Sequence, residues 1–105
     1  MALQAQRGEP WMAGLGFVAK VRPVLILSVR YQYNERAVVT YVCRTTSIRG
    51  TQYEVPHQSR NMLSGVFDAQ GISSIPNVKL ERRLSMVDSG TLEKVEEAVR
   101  SWLNL

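Results

Sequence analysis

The spacing of the apolar residues in this chain changes near residue 90. Before that point, β-branched and aromatic residues form short runs between clusters of Gly, Pro, Asn and Asp, a pattern typical of β-strands joined by turns. After it, apolar residues recur every three or four positions, as on one face of a helix, at Leu92, Val95, Val99, Trp102 and Leu103. Asp88 or Ser89 is expected to cap this helix. The change predicts a mainly β fold, a small and strongly bent barrel covered by a C-terminal helix.

Six segments are predicted to form the strands of this barrel: 8–15, 21–29, 37–44, 51–55, 66–67 and 71–75. The second segment is continuously apolar after Arg22, as expected for a strand that is buried on both faces. Pro56 is expected to end the fourth strand, because proline cannot donate a hydrogen bond to a neighbouring strand. Residues 57–64 are then predicted to form a polar loop.

The length of the chain favours one domain. Two independent cores would each be too small to be stable in 105 residues, so residues 1–105 are predicted to fold together, with residues 1–6 as a flexible tail. The N-terminal residues have no apolar segment typical of a secretion signal, and the longest apolar run, 24–27, is too short to cross a membrane. Cys43 is the only cysteine, which excludes an intrachain disulfide. A cytoplasmic location is therefore expected, with no membrane partner.

Positive charge is in excess along the chain. The formal net charge is +4, and most of the arginines precede the predicted helix, whose polar face is acidic. An excess of this kind favours polyanions or acidic peptides as partners. A basic surface without a specific partner explains the same charge, so charge alone leaves both interpretations open.

Several kinds of catalytic site are excluded by residue counts. One histidine and one cysteine cannot build a zinc site, no pair of aspartates has the spacing of a magnesium cluster, and no glycine-rich phosphate loop is present, so no cofactor is expected. His57 can act as a general acid or a general base but not as both in one step, which excludes a two-histidine mechanism of RNA cleavage. We interpret His57 as a loop residue and Cys43 as a core residue.

An unusual set of polar residues remains at two strand ends. Arg22 stands at the start of the most apolar strand, and residues 45–47 place three consecutive hydroxyl groups after the next strand. Arginine at a strand start often lies along the surface with its charge in water, and Thr-Thr-Ser is common in turns. The pattern therefore permits both a structural and a functional interpretation.

These residues belong to five blocks that resemble, in the same order, those of the MazF/PemK (also Kid) family of toxin endoribonucleases. The blocks are Arg-Gly-Glu-Pro-Trp at 7–11, Lys-Val-Arg-Pro-Val-Leu-Ile-Leu-Ser at 20–28, Val-Cys-Arg-Thr-Thr-Ser at 42–47, Gln-Gly-Ile-Ser-Ser-Ile at 70–75 and Lys-Leu at 79–80. The closing helix at 92–99 fits as well. The resemblance covers nearly the whole chain.

The resemblance implies an SH3-like (MazF/CcdB-type) barrel, usually a homodimer, that cuts single-stranded RNA at short sequences without a metal. It also implies a cognate antitoxin whose flexible acidic tail occupies the RNA groove. By the same resemblance, Arg22 and Thr45 are the expected catalytic residues. RNA contacts are expected from Lys20, Thr46, Ser47, Gln70 and Lys79. Trp11 is placed either in stacking on RNA or, as we favour, in the core or a dimer interface.

The expected chemistry is attack of the ribose 2′-OH on the adjacent phosphate, which leaves a cyclic phosphate and a 5′-OH end. Arg22 offers fixed positive charge and a proton donor to the phosphate oxygens, and Thr45 offers a hydrogen bond to the same oxygens. Arginine keeps its proton throughout the physiological pH range, which makes it a poor general base. The group that accepts the 2′-OH proton is left unassigned by the sequence.

Two departures from the family pattern keep other functions open. Gly14 stands where many relatives carry an acidic residue, and the connection at 15–20 is short. One alternative is an RNA-binding barrel that has lost catalysis. Another is a non-enzymatic interaction protein of the same fold, similar to the gyrase poison CcdB, that acts through its helix and C-terminus.

Overall fold

A computed structural model describes residues 4–16 and 21–105 of the chain. The described residues form six strands and one α-helix. In chain order these are β1 (Pro10–Gly14), β2 (Val21–Ile26), β3 (Val38–Thr45), β4 (Glu54–Ser59), β5 (Met62–Pro76), β6 (Leu80–Arg83) and α1 (Ser89–Leu103), with a short 3₁₀ turn (Asn77–Lys79) before β6.

The six strands form one antiparallel sheet in the order β4-β5-β3-β2-β1-β6. Strands β4 and β6 lie at the two edges, so within the described residues the sheet is not closed into a ring. The predicted class, mainly β with one C-terminal helix, is confirmed. The helix packs against β4 and β5.

Pro56 and an irregular pairing account for two of the differences between the predicted and the observed strands. Residues 57–64 are not a loop: β4 continues through Pro56 to Ser59. Proline is tolerated there because β4 is an edge strand, where a missing N–H can face away from the sheet. The segments 66–67 and 71–75 belong to one long strand, β5, interrupted by a bulge. The charged strand β6 was not predicted at all.

The sheet has a hydrophobic core on each face. The first core includes Trp11, Ala13, Val24, Ile26, Val39 and Tyr41. The second core includes Leu25, Val42, Val55, Phe67 and Ala69, and it also contains Val95 and Ala98 of α1. Because side chains alternate along a strand, successive residues of β2 enter different cores. This alternation explains the uninterrupted apolar run in β2, and its buried part, 24–26, confirms the prediction of burial on both faces.

The first described residues and the helix are attached to this body. Ala5 is buried in the first core, so residue 5 belongs to the folded domain. Arg7 forms an ion pair with Glu96 of α1. Asp88 caps α1 by accepting a hydrogen bond from the Thr91 N–H at 3.2 Å, as predicted. No helix within the described residues is long and apolar enough to cross a membrane.

Candidate functional site

Arg22 and Thr45 lie at the same end and on the same face of the sheet. Strands β2 and β3 are antiparallel, so the start of β2 is next to the end of β3. Val24 pairs with Cys43, and Arg22 and Thr45 follow two residues further along the two strands. Side chains two residues apart share a face, so both belong to the face of the first core. The structure therefore brings the two predicted catalytic residues together.

Both side chains can reach a ligand. Arg22 is exposed and Thr45 is half-buried. The Thr45 hydroxyl oxygen accepts a hydrogen bond from the Ser47 N–H at 3.0 Å, which leaves its O–H free to donate. Among the residues described, no carboxylate lies within ion-pair distance of Arg22. The guanidinium charge of Arg22 is thus available for an anion.

A carboxylate that the sequence did not single out lies on the same face. Asp68 of β5 pairs directly with Cys43, and Arg22 lies on the strand at the other side of β3, two residues before the Val24 that pairs with Cys43. Burial raises the pKa of the Cys43 thiol, the positive charge of Arg22 lowers it, and the negative charge of Asp68 raises it. The thiol remains protonated between these two charges, which agrees with the interpretation of Cys43 as a core residue.

A bulge in β5 places Asp68 on this face. Tyr41 pairs with Ser73 and Cys43 with Asp68, so residues 69–72 of β5 face only one residue of β3. Gly71 permits this close packing, since a Cβ atom there would lie 3.3 Å from the Asp68 carbonyl oxygen. The Asp68 side chain accepts a hydrogen bond from the Gln70 N–H at 3.0 Å. An isolated aspartate between apolar residues gave no sequence signal for this placement.

The expected RNA contacts do not all lie together. Lys20 is outside the described residues. Gln70 is exposed beside Asp68, Ser47 is exposed just after Thr45, and Lys79 is exposed in the 3₁₀ turn before β6. Thr46 is exposed, but it lies with Arg44 on the pocket described below rather than with Thr45.

Trp11 does not stack on a ligand. It is 5% exposed in the first core, and its indole N–H donates to the Glu9 carboxylate at 3.1 Å. The core interpretation of Trp11 is therefore correct, and stacking on RNA is excluded. Beside the end of β1, a Cβ atom at Gly14 would lie 3.5 Å from the carboxylate of Glu81, so an acidic side chain of β6 approaches this position.

The opposite face carries a pocket of about 500 Å³ at the same end of the sheet. We call it the Arg44 pocket; its lining residues include Met12, Pro23, Arg44, Thr46, Met62 and Arg82. Arg44 is only 5% exposed. Its guanidinium donates to His57 Nδ1 at 2.9 Å, to the His57 carbonyl oxygen at 2.9 Å and to the Leu63 carbonyl oxygen at 2.6 Å. These bonds join β3 to the β4–β5 hairpin.

The charge of Arg44 has no carboxylate partner among the described residues. Burial lowers the pKa of Arg44, but arginine stays charged in proteins. Burial, together with the charge of Arg44, also lowers the pKa of His57, which favours the neutral ring that accepts the hydrogen bond at Nδ1. The sequence interpretation of His57 as a loop residue is wrong, because His57 lies within β4 and holds Arg44. The structure thus contains a buried positive charge at the floor of a pocket.

No group of three or more His, Cys, Asp or Glu residues within 4–16 and 21–105 is placed to hold a metal ion.

Residues 6–103 match the family of PemK-like, MazF-like toxins of type II toxin-antitoxin systems. The chain belongs to this family. A search of curated proteins found no match.

Solved structures of MazF toxins share the fold of this PemK/MazF-like chain. An endoribonuclease in complex with its cognate antitoxin, from a Mycobacterial species, has a TM-score of 0.82 at 27% identity and covers 96% of each chain. The Mycobacterium tuberculosis toxin MazF-mt6 has a TM-score of 0.79 at 28% identity, covering 92% of this chain and 97% of its own. A MazE-MazF structure from Deinococcus radiodurans, at 21% identity, has a TM-score of 0.81 over 99% of both chains and supports the fold alone.

In this PemK/MazF-like chain, the loop after Thr45 is held by Glu54. The Glu54 carboxylate accepts hydrogen bonds from the backbone N–H groups of Arg49, Gly50 and Thr51. Desolvation alone would raise the pKa of Glu54, but these hydrogen bonds outweigh it and hold the pKa below its ordinary value. Gly50 has a φ of 77°, which only glycine adopts without strain. The loop that follows the candidate catalytic threonine is therefore fixed by its own sequence.

Proposed function

We propose that this chain is a toxin endoribonuclease that cleaves single-stranded RNA by attack of the 2′-OH on the adjacent phosphate, without a metal. The observation that carries the proposal is the position of Arg22 beside Thr45 on one face at the end of β2 and β3, in a chain of the PemK/MazF-like family. The proposed products are a cyclic phosphate and a 5′-OH end. The proposed catalytic residues are Arg22 and Thr45.

The two residues suit a phosphate that gains negative charge. As the 2′ oxygen bonds to phosphorus, charge accumulates on the two non-bridging oxygens. The planar guanidinium of Arg22 can donate two parallel hydrogen bonds to these oxygens, and its position at a strand start fixes its backbone in advance. The free O–H of Thr45 adds a third donor. Because the sheet fixes the backbone of both residues, less reorganisation is needed when these donors meet the transition state.

We assign the acceptance of the 2′-OH proton to Asp68. A carboxylate is a suitable general base, and Asp68 is the half-buried one on the face of Arg22. Arg22 and Asp68 lie on strands separated only by β3, so their strands are two sheet spacings, roughly 9–10 Å, apart. A phosphate and its ribose fit between two side chains at that separation. The 5′ oxygen leaves as the P–O bond breaks and takes up a proton from water, while the positive charge of Arg22 stabilises it as it leaves.

The proposed partners follow from the relatives and from charge. A similar Mycobacterial endoribonuclease was solved with its cognate antitoxin, and we propose that this chain is neutralised in the same way by an antitoxin with an acidic tail. Its net charge of +4 suits both an acidic peptide and RNA. We propose a homodimer as the active form.

Cleavage of RNA by the purified protein in excess EDTA tests the proposal. We expect fragments with cyclic phosphate and 5′-OH ends. Arg22→Ala should lower the cleavage rate about 100-fold to 1,000-fold, as the loss of one oriented donor does in other enzymes. Arg36→Gln, at an exposed arginine beyond the other end of β3, is the charge-matched control and should cleave normally. Cleavage that needs a metal, or that survives Arg22→Ala undiminished, would reject the proposal, and toxicity retained by Arg22→Ala would favour a CcdB-like interaction protein.

Asp68→Asn tests the proton acceptor separately. Asparagine keeps the size of the side chain and can still accept the hydrogen bond from Gln70, so the bulge should survive. The expected result is a fall in kcat of roughly 100-fold with little change in KM, because a general base acts in the chemical step. Glu81→Gln is the matched control at the carboxylate beside Gly14. If Glu81→Gln loses activity and Asp68→Asn does not, the base has been assigned to the wrong carboxylate.

A further inference from the structure

The Arg44 pocket and the candidate catalytic pair lie back to back. Pro23 follows Arg22 in β2, and Thr46 follows Thr45 at the end of β3, so their side chains point to the opposite face. Pro23 and Thr46 both line the Arg44 pocket. The pocket and the pair therefore share one end of the sheet and are separated only by the thickness of β2 and β3. A flexible strand that passes over this end can contact both.

The lining of the pocket combines positive charge with apolar walls. None of its lining residues is acidic. Hydrogen-bond donors come from Arg44 and Arg82 and from the side chains of Thr46, Ser59, Asn61 and Ser85. Arg83 also contributes to the wall, but its side chain is paired with Glu9. The apolar part of the wall consists of Met12, Pro23, Met62, Leu63 and Leu84.

Hydrogen bonds hold the Arg44 guanidinium in place but use only some of its N–H groups. Nε and Nη2 are engaged with His57 and Leu63, whereas no hydrogen bond from Nη1 is found within the part of the chain that the structure describes. Nη1 lies above Gly65, where a Cβ atom would approach it to 2.8 Å. A buried guanidinium without a carboxylate is costly unless another anion compensates it. The fixed charge at the pocket floor therefore points to an anionic ligand.

We propose that the Arg44 pocket binds a nucleotide of the RNA that flanks the cleaved bond, as a subsite next to the catalytic pair. In this arrangement a phosphate is held by Arg44 and Arg82, and the base packs between Pro23 and the methionines. The volume of about 500 Å³ lies in the range of pockets that enclose small molecules. The proposal rests on the proposed function, since it adds a subsite to the same reaction.

RNA fits the position of the pocket better than an acidic peptide does. RNA must reach Arg22 and Thr45 to be cleaved, and the pocket opens at their end of the sheet. The forked guanidinium of Arg82 matches phosphate oxygens, and apolar walls suit the flat face of a base. A peptide carboxylate with an apolar neighbour would satisfy the same lining, so the experiment includes it as a competing outcome.

Arg82→Gln is the informative variant, because Arg82 is exposed and forms no ion pair among the described residues, so the fold does not depend on it. Arg36→Gln is the control with the same loss of charge, placed away from the pocket. Both are compared with the unchanged protein on a pool of all RNA dinucleotides, which can occupy the catalytic pair alone, and on a randomised pool of RNA octanucleotides. Affinity is measured on a non-cleavable 2′-O-methyl octanucleotide pool.

Arg82→Gln should lower kcat/KM on octanucleotides by about tenfold and leave dinucleotide cleavage unchanged, because one specific arginine contact has a value of this order. It should weaken octanucleotide binding more than Arg36→Gln does. Equal losses on both substrate lengths, or octanucleotide affinity equal to that of Arg36→Gln, would overturn the subsite. Binding of an alternating Leu-Glu peptide that depends on Arg82, with RNA unaffected, would overturn it in favour of an acidic peptide. If the unchanged protein cleaves nothing, the proposed function fails, while the affinity comparison still decides whether the pocket binds RNA.

Discussion

Glu9 is a buried carboxylate that fastens the start of the chain to the first core. It is 3% exposed and accepts hydrogen bonds from the Gln6 N–H, the Trp11 indole and the Arg83 guanidinium. Burial alone would raise the pKa of Glu9, but these three donors outweigh burial and hold the pKa below its ordinary value. At the scale of single residues, the fold therefore depends on the ionised carboxylate of Glu9, which these three hydrogen-bond donors stabilise.

We expect Glu9 to make the protein less stable in acid. Its folded pKa lies below its unfolded value near 4.5, so its stabilisation is complete above that pH and is lost as the pH falls through the folded pKa. Glu9→Gln removes this titration and should flatten the dependence of the free energy of unfolding on pH below 4.5. Urea unfolding over a pH series measures it, with the exposed Glu93→Gln as control. An unchanged slope in Glu9→Gln would show that another group causes the acid sensitivity.

Position 65 has no room for a side chain, so only glycine fits there. A Cβ atom there would lie 2.7 Å from the Thr45 carbonyl oxygen and 2.8 Å from Arg44 Nη1, so the backbone would have to move. We expect Gly65→Ala to destabilise the fold by about 1–3 kcal/mol, as overpacking does, and to disturb the pair and the pocket together. Gly14→Ala, where the nearest atom is 3.5 Å away, is the control. Urea unfolding that is identical for the two variants would refute the expectation.

At the scale of elements, α1 completes the second core. Val95 and Ala98 are buried against the sheet, and Tyr53 and Trp102 meet edge to face with ring centroids 5.2 Å apart. Because isolated helices of this length are marginal in water, α1 depends on this packing and on its cap. The helix is therefore part of the fold rather than an appendage.

Removal of the cap tests how far α1 depends on its first turn. Asp88→Ala deletes the acceptor for the Thr91 N–H and should lower the urea midpoint. Ser89→Ala, one residue further on, removes a hydroxyl group without removing that hydrogen bond and should have a smaller effect. Circular dichroism at the helical band reports the helix, and tryptophan emission measured in a Trp11→Phe background reports the docking of Trp102. Equal midpoints for the two variants would show that the cap does not stabilise α1.

Elements with a periodic pattern could be predicted from the sequence, whereas those that depend on a neighbour could not. The helix and β2 followed from their spacing, and the choice of Arg22 and Thr45 as candidate catalytic residues followed from the family resemblance. Pro56 was misread because only the sheet order shows that β4 is an edge strand. Asp68 was missed because the bulge in β5 sets its register, and Arg44 because its partners come from a hairpin that was predicted as a loop.

At the scale of the whole molecule, positive charge is distributed over both faces of one sheet end. Arg22 lies on the face of the first core, and Arg44 and Arg82 lie on the other face. If RNA occupies both faces, its binding should depend strongly on salt. We expect the logarithm of the binding constant to fall linearly with the logarithm of the salt concentration, with a slope of about −0.7 for each phosphate contacted.

Arg22→Ala and Arg82→Gln should each reduce that slope by about 0.7, and the double variant by about twice as much. Arg36→Gln should leave the slope nearly unchanged. Fluorescence anisotropy with 2′-O-methyl RNA at several salt concentrations measures these slopes. If the double variant loses no more than one single variant, the two faces do not contact the same RNA molecule.

The back-to-back arrangement also restricts how this protein can change. Because Arg22 and Pro23 are neighbours on one strand, deletion of a single residue between 24 and 26 would exchange the faces of every residue before it. The arginine would then enter the pocket and the proline the candidate catalytic face. A change of one residue inside β2 therefore exchanges the two faces unless a bulge absorbs it, whereas a change of two residues keeps them. In this protein, the alternation of side chains along β2 keeps Arg22 on the candidate catalytic face and Pro23 on the face of the Arg44 pocket.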